Sequence, residues 1–134
     1  MAEQKDLRIG LLGFGSMGRT HTWAVRNLPF FFGALPFRAV TAGVCTTTEE
    51  KSRRVAEEFG IPIATANEDD LIGNPDIDII DICTPNNCHY RTVKKALAAG
   101  KHVQSTDDLE AVEAELEAGA DGGASTCCAK SRFA

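Results

Sequence analysis

Long apolar runs are missing from this sequence of 134 residues. A helix that crosses a membrane needs about 18 or more consecutive apolar residues, and no segment of the chain provides them. The first ten residues, MAEQKDLRIG, also lack the apolar stretch of a signal peptide. We therefore predict a soluble, cytoplasmic protein with no membrane partner.

Cysteine is scarce and odd in number. The five cysteines are Cys45, Cys83, Cys88, Cys127 and Cys128. The first two lie in apolar surroundings at the ends of predicted strands, and an odd set of this kind predicts reduced thiols rather than a disulfide framework. Cys83, Cys88 and the neighbouring His89 are residue types that bind metals, but no second ligand cluster has zinc spacing. We therefore predict no metal site.

An excess of positive charge is also missing, since the formal net charge is -5. Residues 1–103 carry 12 basic and 12 acidic side chains, whereas residues 104–134 carry two basic and seven acidic ones. Binding to nucleic acids relies on lysine and arginine side chains that neutralise phosphates. Neither part of the chain has such a basic face, so we predict no nucleic-acid partner.

The sequence does contain a buried strand followed by a glycine-rich turn. Residues 7–12, LRIGLL, form an apolar run typical of a strand buried on both faces, and the residues after Ser16 have helical composition. Between them lies the pattern Gly13-x-Gly15-x-x-Gly18. In a dinucleotide site the first glycine allows a tight turn, the second lets backbone amides approach a pyrophosphate, and the third lets the helix pack close to the strand.

This turn predicts a dinucleotide as the ligand. The charge of a pyrophosphate would lie at the helix N-terminus, where the first amides lack partners within the helix and the helix dipole favours an anion. A purely structural turn is the alternative, because glycine-rich turns also occur without a ligand. If the turn binds a dinucleotide, we expect the ligand contacts to come from Gly13, Phe14, Gly15, Ser16, Met17 and Gly18.

The remainder of the chain alternates predicted helices and strands. We predict helices over residues 17–28 (ended by Pro29), 48–59 and 90–99, a helical turn over 67–72, and strands over 37–45, 61–64 and 77–83, with a fifth strand starting at residue 101. Asp78 and Asp81 interrupt the 77–83 strand and indicate polar groups near its ends or an edge. This order predicts an α/β fold, a doubly wound parallel Rossmann sheet with strand order 3-2-1-4-5.

The predicted domain covers residues 1–118, including an acidic helix over 106–118, and residues 119–134 form a disordered tail. Three consecutive phenylalanines, residues 30–32, lie between prolines in the loop after the first helix. We weigh two interpretations of this loop: a satellite of the core, or a docking surface for another domain or subunit. Exposed phenylalanines and the edge of the fifth strand would favour self-association.

The residues after the second strand bear on which dinucleotide binds. In such folds an acidic side chain at this point holds the 2′-hydroxyl of NAD. Cys45, Thr46 and Thr47 occupy the position and none is acidic, so a 2′-phosphate would meet hydroxyl donors. The cofactor is therefore NAD or NADP, and the pattern favours NADP; hydroxyls that serve either cofactor are the alternative.

Four segments resemble a known family. GFGSMGRTH (13–21), VCTTTEEK (44–51), NPDIDIIDICTPNNCHY (74–90) and ALAAGKHV (96–103) together resemble the N-terminal NAD(P)-binding domain of the Gfo/Idh/MocA oxidoreductases over about residues 5–103. These are dehydrogenases that act mostly on sugars and polyols. The resemblance implies that Thr84, Pro85 and Asn86 lie beside the ribose and nicotinamide of the cofactor, and that His89 starts the next helix near the site.

The chain departs from the family after residue 103. The family continues with Glu-Lys-Pro, whose lysine assists proton transfer, but Thr106, Asp107 and Asp108 stand at those positions. Relatives also continue into a second domain that supplies the substrate pocket, so a small-molecule substrate is expected only with that domain. We assign no catalytic residue. The function predicted is the cofactor-binding domain of an oxidoreductase; a non-catalytic binding module, or a truncated product without activity, is the alternative.

Overall fold

The computed structural model describes residues 4–105 of the chain. The predicted acidic helix and the tail lie outside the described residues, as do residues 1–3. The described strands are β1 (Lys5–Leu12), β2 (Phe37–Cys45), β3 (Ile63–Thr65), β4 (Ile79–Ile82) and β5 (His102–Ser105). The helices are α1 (Ser16–Phe32), α2 (Glu49–Phe59), α3 (Asp69–Ile72) and α4 (His89–Ala98), with a 3-10 turn over Asn86–Cys88. None of these helices is long and apolar enough to cross a membrane.

The five strands form one parallel sheet in the order β3-β2-β1-β4-β5, which confirms the predicted topology. β1 lies at the centre and pairs with β2 from Lys5 opposite Phe37 to Leu12 opposite Cys45, with one irregularity after Ile9. On its other side β1 pairs with β4 up to Leu12 opposite Ile82. Because the strands are parallel, the turns that follow β1, β2 and β4 all lie at one edge of the sheet, the carboxyl edge.

Two apolar clusters cover the two faces of the sheet. One contains Leu12, Leu71, Ile77, Ile80, Ile82 and Ala96, and the other contains Leu11, Phe14, Val44, Val55, Ala56 and Ile61. Leu12, Val44 and Ile80 have no exposed surface. Burial on both faces explains why the strands read as nearly continuous apolar runs rather than as alternating ones.

Helix α2 begins and ends where its local sequence predicts. The Thr48 side chain accepts a hydrogen bond of 3.1 Å from the Lys51 amide, which caps the N-terminus. Glu49 and Glu50 lie in the first turn, where negative charge complements the helix dipole. Gly60 then adopts a left-handed conformation with φ +65° and closes the C-terminus.

The predicted end of α1 at Pro29 is wrong, because the helix continues to Phe32. A proline in a helix removes only its own amide donor and disturbs the turn before it, so the residues after Pro29 can still be helical. The Gly33 amide donates to the Pro29 carbonyl at 3.0 Å and the helix ends there, with Gly33 at φ +64°. The phenylalanines therefore form the last helical turn, not a loop. They are 83%, 63% and 66% exposed, so they are not a satellite of the core.

Strand β4 corrects a second expectation. It is shorter than predicted, although it lies between β1 and β5 as the predicted strand order requires. Asp78 precedes it and accepts a hydrogen bond from the Arg8 amide at 2.9 Å. Asp81, in contrast, is inside the strand and only 6% exposed. A carboxylate at that depth needs a partner, and helix α1 supplies one, as described below.

Candidate functional site: the carboxyl edge of the sheet

The glycine turn after β1 lies against the turn after β4. Gly13 has φ +88°, a conformation that side chains disfavour. A Cβ added at Gly13 would lie 2.6 Å from the Cys83 carbonyl oxygen and 3.0 Å from the Thr84 nitrogen. The Gly13 amide donates to the Cys45 carbonyl at 2.8 Å, which ties the same turn to the end of β2. Gly13 therefore allows three strand ends to meet.

Gly15 and Gly18 serve different purposes in this turn. A Cβ at Gly18 would lie 2.6 Å from the Gly13 carbonyl oxygen, so the absence of a side chain there allows the helix to pack on the turn. A Cβ at Gly15 would meet nothing within 4 Å. No contact within the described chain requires glycine at position 15, and the space beside it is open. This is the cradle that a pyrophosphate would fill.

The N-terminus of α1 faces this space without a side-chain cap. Gly15 is the N-cap residue, and within α1, which is described in full, the first turn has no acidic residue. Ser16 and Met17 are exposed, so the first amides are accessible. Phe14 is only 5% exposed, and its ring packs 5.2 Å from that of Phe59. Its side chain belongs to the core, which leaves its backbone for a ligand.

The turn after β4 contains an unpartnered polar group. Thr84 is buried, and its Oγ1 has no hydrogen-bond partner among the described residues. A buried hydroxyl of this kind is uncommon in folded proteins. Pro85 follows at the surface, and Asn86 begins the 3-10 turn that leads into α4. The backbone of Thr84 adjoins the glycine turn, since a Cβ at Gly13 would lie 3.0 Å from the Thr84 nitrogen. This is the switch point where the connections from β1 and β4 leave in opposite directions.

His89 holds the Thr84 turn in place. It starts α4, as the resemblance implied, and it has no exposed surface. Its Nε2 lies 2.5 Å from the Thr84 carbonyl oxygen and its Nδ1 lies 3.0 Å from Ser105 Oγ. A carbonyl only accepts hydrogen bonds, so the proton is on Nε2 and Nδ1 accepts from the serine. His89 thus links the turn to the end of β5 from inside the protein.

The end of β2 differs in detail from expectation. Cys45 is fully buried, and Thr46 is 2% exposed. The Thr46 hydroxyl donates to the Thr48 carbonyl at 3.1 Å and lies 2.8 Å from Ser52 Oγ. That hydroxyl is therefore engaged within the protein. The next residue, Thr47, is half-buried.

A cluster that sequence reasoning missed lies beneath this edge. His21 Nδ1, on α1, is 2.8 Å and 3.0 Å from the two carboxylate oxygens of Asp81 and 3.3 Å from Cys83 Sγ. Burial and the Asp81 carboxylate raise the pKa of the Cys83 thiol to about 12. The sequence predicted apolar surroundings for Cys83. It also offered Cys83, Cys88 and His89 as a weak candidate for a metal site. Cys83 Sγ instead lies beside His21 and Asp81.

Comparisons with known proteins agree with this geometry. Residues 7–105 match the family described as "Oxidoreductase family, NAD-binding Rossmann fold". The chain belongs to the Gfo/Idh/MocA oxidoreductase family. This match confirms the resemblance identified in the sequence, and it covers the β1 glycine turn and the β4 turn alike.

Individual members of the Gfo/Idh/MocA family are similar in sequence and structure. Levoglucosan dehydrogenase of Pseudarthrobacter phenanthrenivorans is 34% identical over 99 residues, which is 74% of this chain and 25% of that protein. Inositol 2-dehydrogenase/D-chiro-inositol 3-dehydrogenase of Lactiplantibacillus plantarum is 34% identical over 108 residues, 75% of this chain and 27% of that protein. A structure of levoglucosan dehydrogenase with NADH and levoglucosan superimposes with a TM-score of 0.73 at 34% identity, covering 75% of this chain and 27% of that one.

The chain spans about a quarter of the length of these relatives. It corresponds to the NAD-binding Rossmann domain of the Gfo/Idh/MocA family. The names of these relatives refer to a sugar derivative and to inositols, and the structure of levoglucosan dehydrogenase contains NADH.

Proposed function

We propose that this chain is the part of a dehydrogenase that binds NAD(P) at the carboxyl edge of the sheet. The observation that carries the proposal is the open space at Gly15, and the buried hydroxyl of Thr84, which has no hydrogen-bond partner among the described residues, supports it. Both features are costly or unexplained in the protein alone and useful with a ligand. Gly13 and Gly18 are accounted for by packing, whereas Gly15 is not.

Each part of the site has a separate task in this proposal. The amides of Gly15, Ser16 and Met17 hold the pyrophosphate at the helix N-terminus. Thr47 faces the adenosine ribose. Thr84, with the backbone of Pro85 and Asn86, positions the nicotinamide half, and His89 keeps that turn fixed from behind.

The bound nicotinamide supplies the hydride acceptor or donor. By analogy with the relatives, the partner in the complete enzyme is the carbinol carbon of a sugar or polyol, held by residues beyond this chain. The lysine of the family falls on Asp107, which lies outside the described residues. A carboxylate there can accept a proton but does not supply a positive field to a developing alkoxide. We therefore expect little or no dehydrogenase activity from this chain alone on a panel of sugars and polyols.

Binding is tested by thermal unfolding with NAD(H) and NADP(H). A ligand that binds only the folded state raises the melting temperature by mass action. We expect Gly15→Val to abolish this shift while leaving the melting temperature without ligand nearly unchanged, since a side chain at Gly15 meets nothing in the protein. Ala34→Val adds similar bulk at an exposed position of the opposite edge and should keep the shift. An equal shift in Gly15→Val would place the ligand elsewhere.

For the choice of cofactor, we propose that the site favours NADP over NAD. The segment after β2 has hydroxyls where NAD-specific folds have a carboxylate. Thr47→Asp places a negative charge near a 2′-phosphate and should weaken NADP at least about tenfold relative to NAD. Thr47→Asn, which has the same shape without the charge, is the control. Equal weakening by both variants would show that shape and not charge is responsible.

A non-catalytic binding module is the second candidate, because the phenylalanines at the end of α1 are exposed. The two candidates differ in the bound state. A catalytic domain presents the nicotinamide C4 to solvent or to a second domain, so bound NADH should still reduce a small diffusible acceptor. Failure of that reaction with intact dinucleotide binding would favour the module.

A further inference from the structure

We propose that His21, Asp81 and Cys83 form a binding site for a divalent transition metal, with Zn²⁺ as the ion that fits the three ligands best. One nitrogen, one carboxylate and one sulfur converge between α1 and the end of β4, and their ligand atoms all lie within 4.8 Å of one another. This inference reverses the expectation of no metal site, and it does not rest on the proposed dinucleotide function.

The distances within the cluster are close to those of a tetrahedral centre. Zinc lies about 2.3 Å from a thiolate and about 2.0–2.2 Å from imidazole nitrogen and carboxylate oxygen, which places adjacent ligand atoms about 3.3–3.6 Å apart. Cys83 Sγ is 3.3 Å from His21 Nδ1 and 3.6 Å from Asp81 Oδ1. The contact between His21 and Asp81, at 2.8–3.0 Å, would have to open by about 0.3–0.5 Å to reach that range.

The charges also balance at this site. Zn²⁺ with the Asp81 carboxylate, a Cys83 thiolate and a neutral imidazole has no net charge, which lowers the cost of placing the ion in a mostly buried position. Binding of the ion would release the Cys83 thiol proton to solvent, and His21 would coordinate through Nδ1 as a neutral imidazole with its hydrogen on Nε2. Coordination by the metal would thereby replace the hydrogen bonds among His21, Asp81 and Cys83.

Solvent reaches the cluster from the side of His21, where water would supply a fourth ligand. The His21 side chain is 21% exposed, whereas that of Asp81 is 8% exposed. Access is therefore from the α1 side. Three protein ligands with one open position is the arrangement of zinc sites that exchange a ligand, and the donor set of nitrogen, oxygen and sulfur favours zinc over magnesium or calcium.

The test uses the full chain and Zn²⁺ alone, without dinucleotide. Thiolates in general are zinc ligands, so the reference protein carries Cys127→Ser and Cys128→Ser to exclude binding by these adjacent thiols. Titration calorimetry of this reference should give one zinc per chain. Adding Cys83→Ser, His21→Gln or Asp81→Asn should weaken the affinity at least tenfold each. His102→Gln, which changes an exposed imidazole outside the cluster, should leave it unchanged.

A second measurement needs no variant of the three cluster residues, so it does not depend on whether such variants fold. Co²⁺ bound to the reference protein should show the near-ultraviolet charge-transfer band of a cobalt–thiolate bond and visible bands of tetrahedral coordination. No saturable zinc binding by the reference, or a cobalt spectrum without the thiolate band, would show that the cluster is only hydrogen-bonded and would overturn the proposal. Zinc affinity that is unchanged in all three cluster variants would also overturn it, by placing the ion elsewhere.

Discussion

The two edges of this sheet are built in opposite ways. At the carboxyl edge the packing is tight at two points: an added Cβ at Gly13 would meet backbone atoms of the β4 turn, and His89 is enclosed with both ring nitrogens bonded. At the amino edge, Phe30 and Phe31 are exposed, and a groove of about 710 Å³ lies between the end of α1 and the start of β2. Backbone atoms limit substitution at Gly13, whereas the side chains of Phe30 and Phe31 are mostly open to solvent.

The difference shows that some positions require a particular backbone geometry, whereas others only present side chains of a given type at the surface. Gly13 and Gly18 at the carboxyl edge are fixed by what they must avoid, since an added Cβ at either position would meet backbone atoms. Phe30 and Phe31 at the amino edge contact each other through their rings, but most of each side chain is exposed. Substitutions should therefore have unequal effects at the two edges, even where the residues are similar in size or polarity.

The largest effect is expected at Gly13. In Gly13→Ala the new Cβ would lie 2.6 Å from the Cys83 carbonyl, and the residue would keep φ near +88°. Strain of this kind costs about 1–3 kcal/mol, and the backbone clash adds to it. We expect a loss of about 3 kcal/mol or more in the free energy of unfolding by urea. Gly15→Ala is the control and should cost under about 1 kcal/mol; equal losses would remove the distinction between the two glycines.

His89→Ala should have the next largest effect. It removes hydrogen bonds to Thr84 and Ser105 and leaves a buried cavity, so we expect a loss of roughly 2–4 kcal/mol. His89→Gln keeps a donor and an acceptor and should recover part of that loss. Both variants should also weaken dinucleotide binding, which calorimetry at a temperature below unfolding would measure. Unchanged binding would mean that the Thr84 turn does not need this support.

A smaller, chemical effect is expected at Cys83. Because the pKa of its thiol is raised to about 12, the folded protein holds this proton, whereas an unfolded thiol ionises near its ordinary pKa of 9.0. The thiol therefore stabilises the folded state fully below pH 9, and the contribution is lost as the pH rises from about 9 toward 12. Alkylation by iodoacetamide at pH 8.5, close to the pKa of an ordinary thiol, should be slow at Cys83, as followed by peptide mass spectrometry.

The Asp81 carboxylate is one cause of that raised pKa, next to burial itself. Asp81→Asn keeps the size of the side chain and removes the charge, so alkylation of Cys83 should become faster. Cys127 and Cys128 serve as internal references in the same digest. A Cys83 that reacts as rapidly as these two in the unmodified chain would contradict the raised pKa.

The smallest effect on stability is expected at Phe31, which is 63% exposed. Phe31→Ser should change the free energy of unfolding by about 0.5 kcal/mol or less. Self-association through this surface stays a prediction. If it occurs, the substitution should reduce the concentration dependence of the sedimentation coefficient, whereas Thr20→Ser on the exposed side of the same helix should not.

Features marked by local chemistry could be predicted from the sequence. The Thr48 cap and the Gly60 stop define α2 because both act within one helical turn. The strand order followed from the alternation of helices and strands and from the direction of parallel crossovers. Gly13 and Gly18 were assigned to turn and packing, and the contacts of an added Cβ agree.

Features that depend on residues far apart in the sequence could not be predicted. His21 and Asp81 are 60 residues apart, and no spacing rule joins them. The signal that was present is Asp81 itself, a carboxylate within an apolar strand, which requires a buried partner. Thr46 was expected to face the ribose, but Ser52 on the following helix engages its hydroxyl. The helix through Pro29 was missed because the loss of one amide donor near a helix end is tolerated.

The central position of β1 has a consequence for the order of events during folding. Its pairing with β2 joins neighbouring parts of the chain, whereas its contact with β4 brings together Arg8 and Asp78, 70 residues apart. Contacts across such separations require closure of a long loop and form slowly. The glycine turn packs against the β4 turn, so we expect a folding chain to acquire the capacity to bind a dinucleotide late, once β4 has joined the sheet.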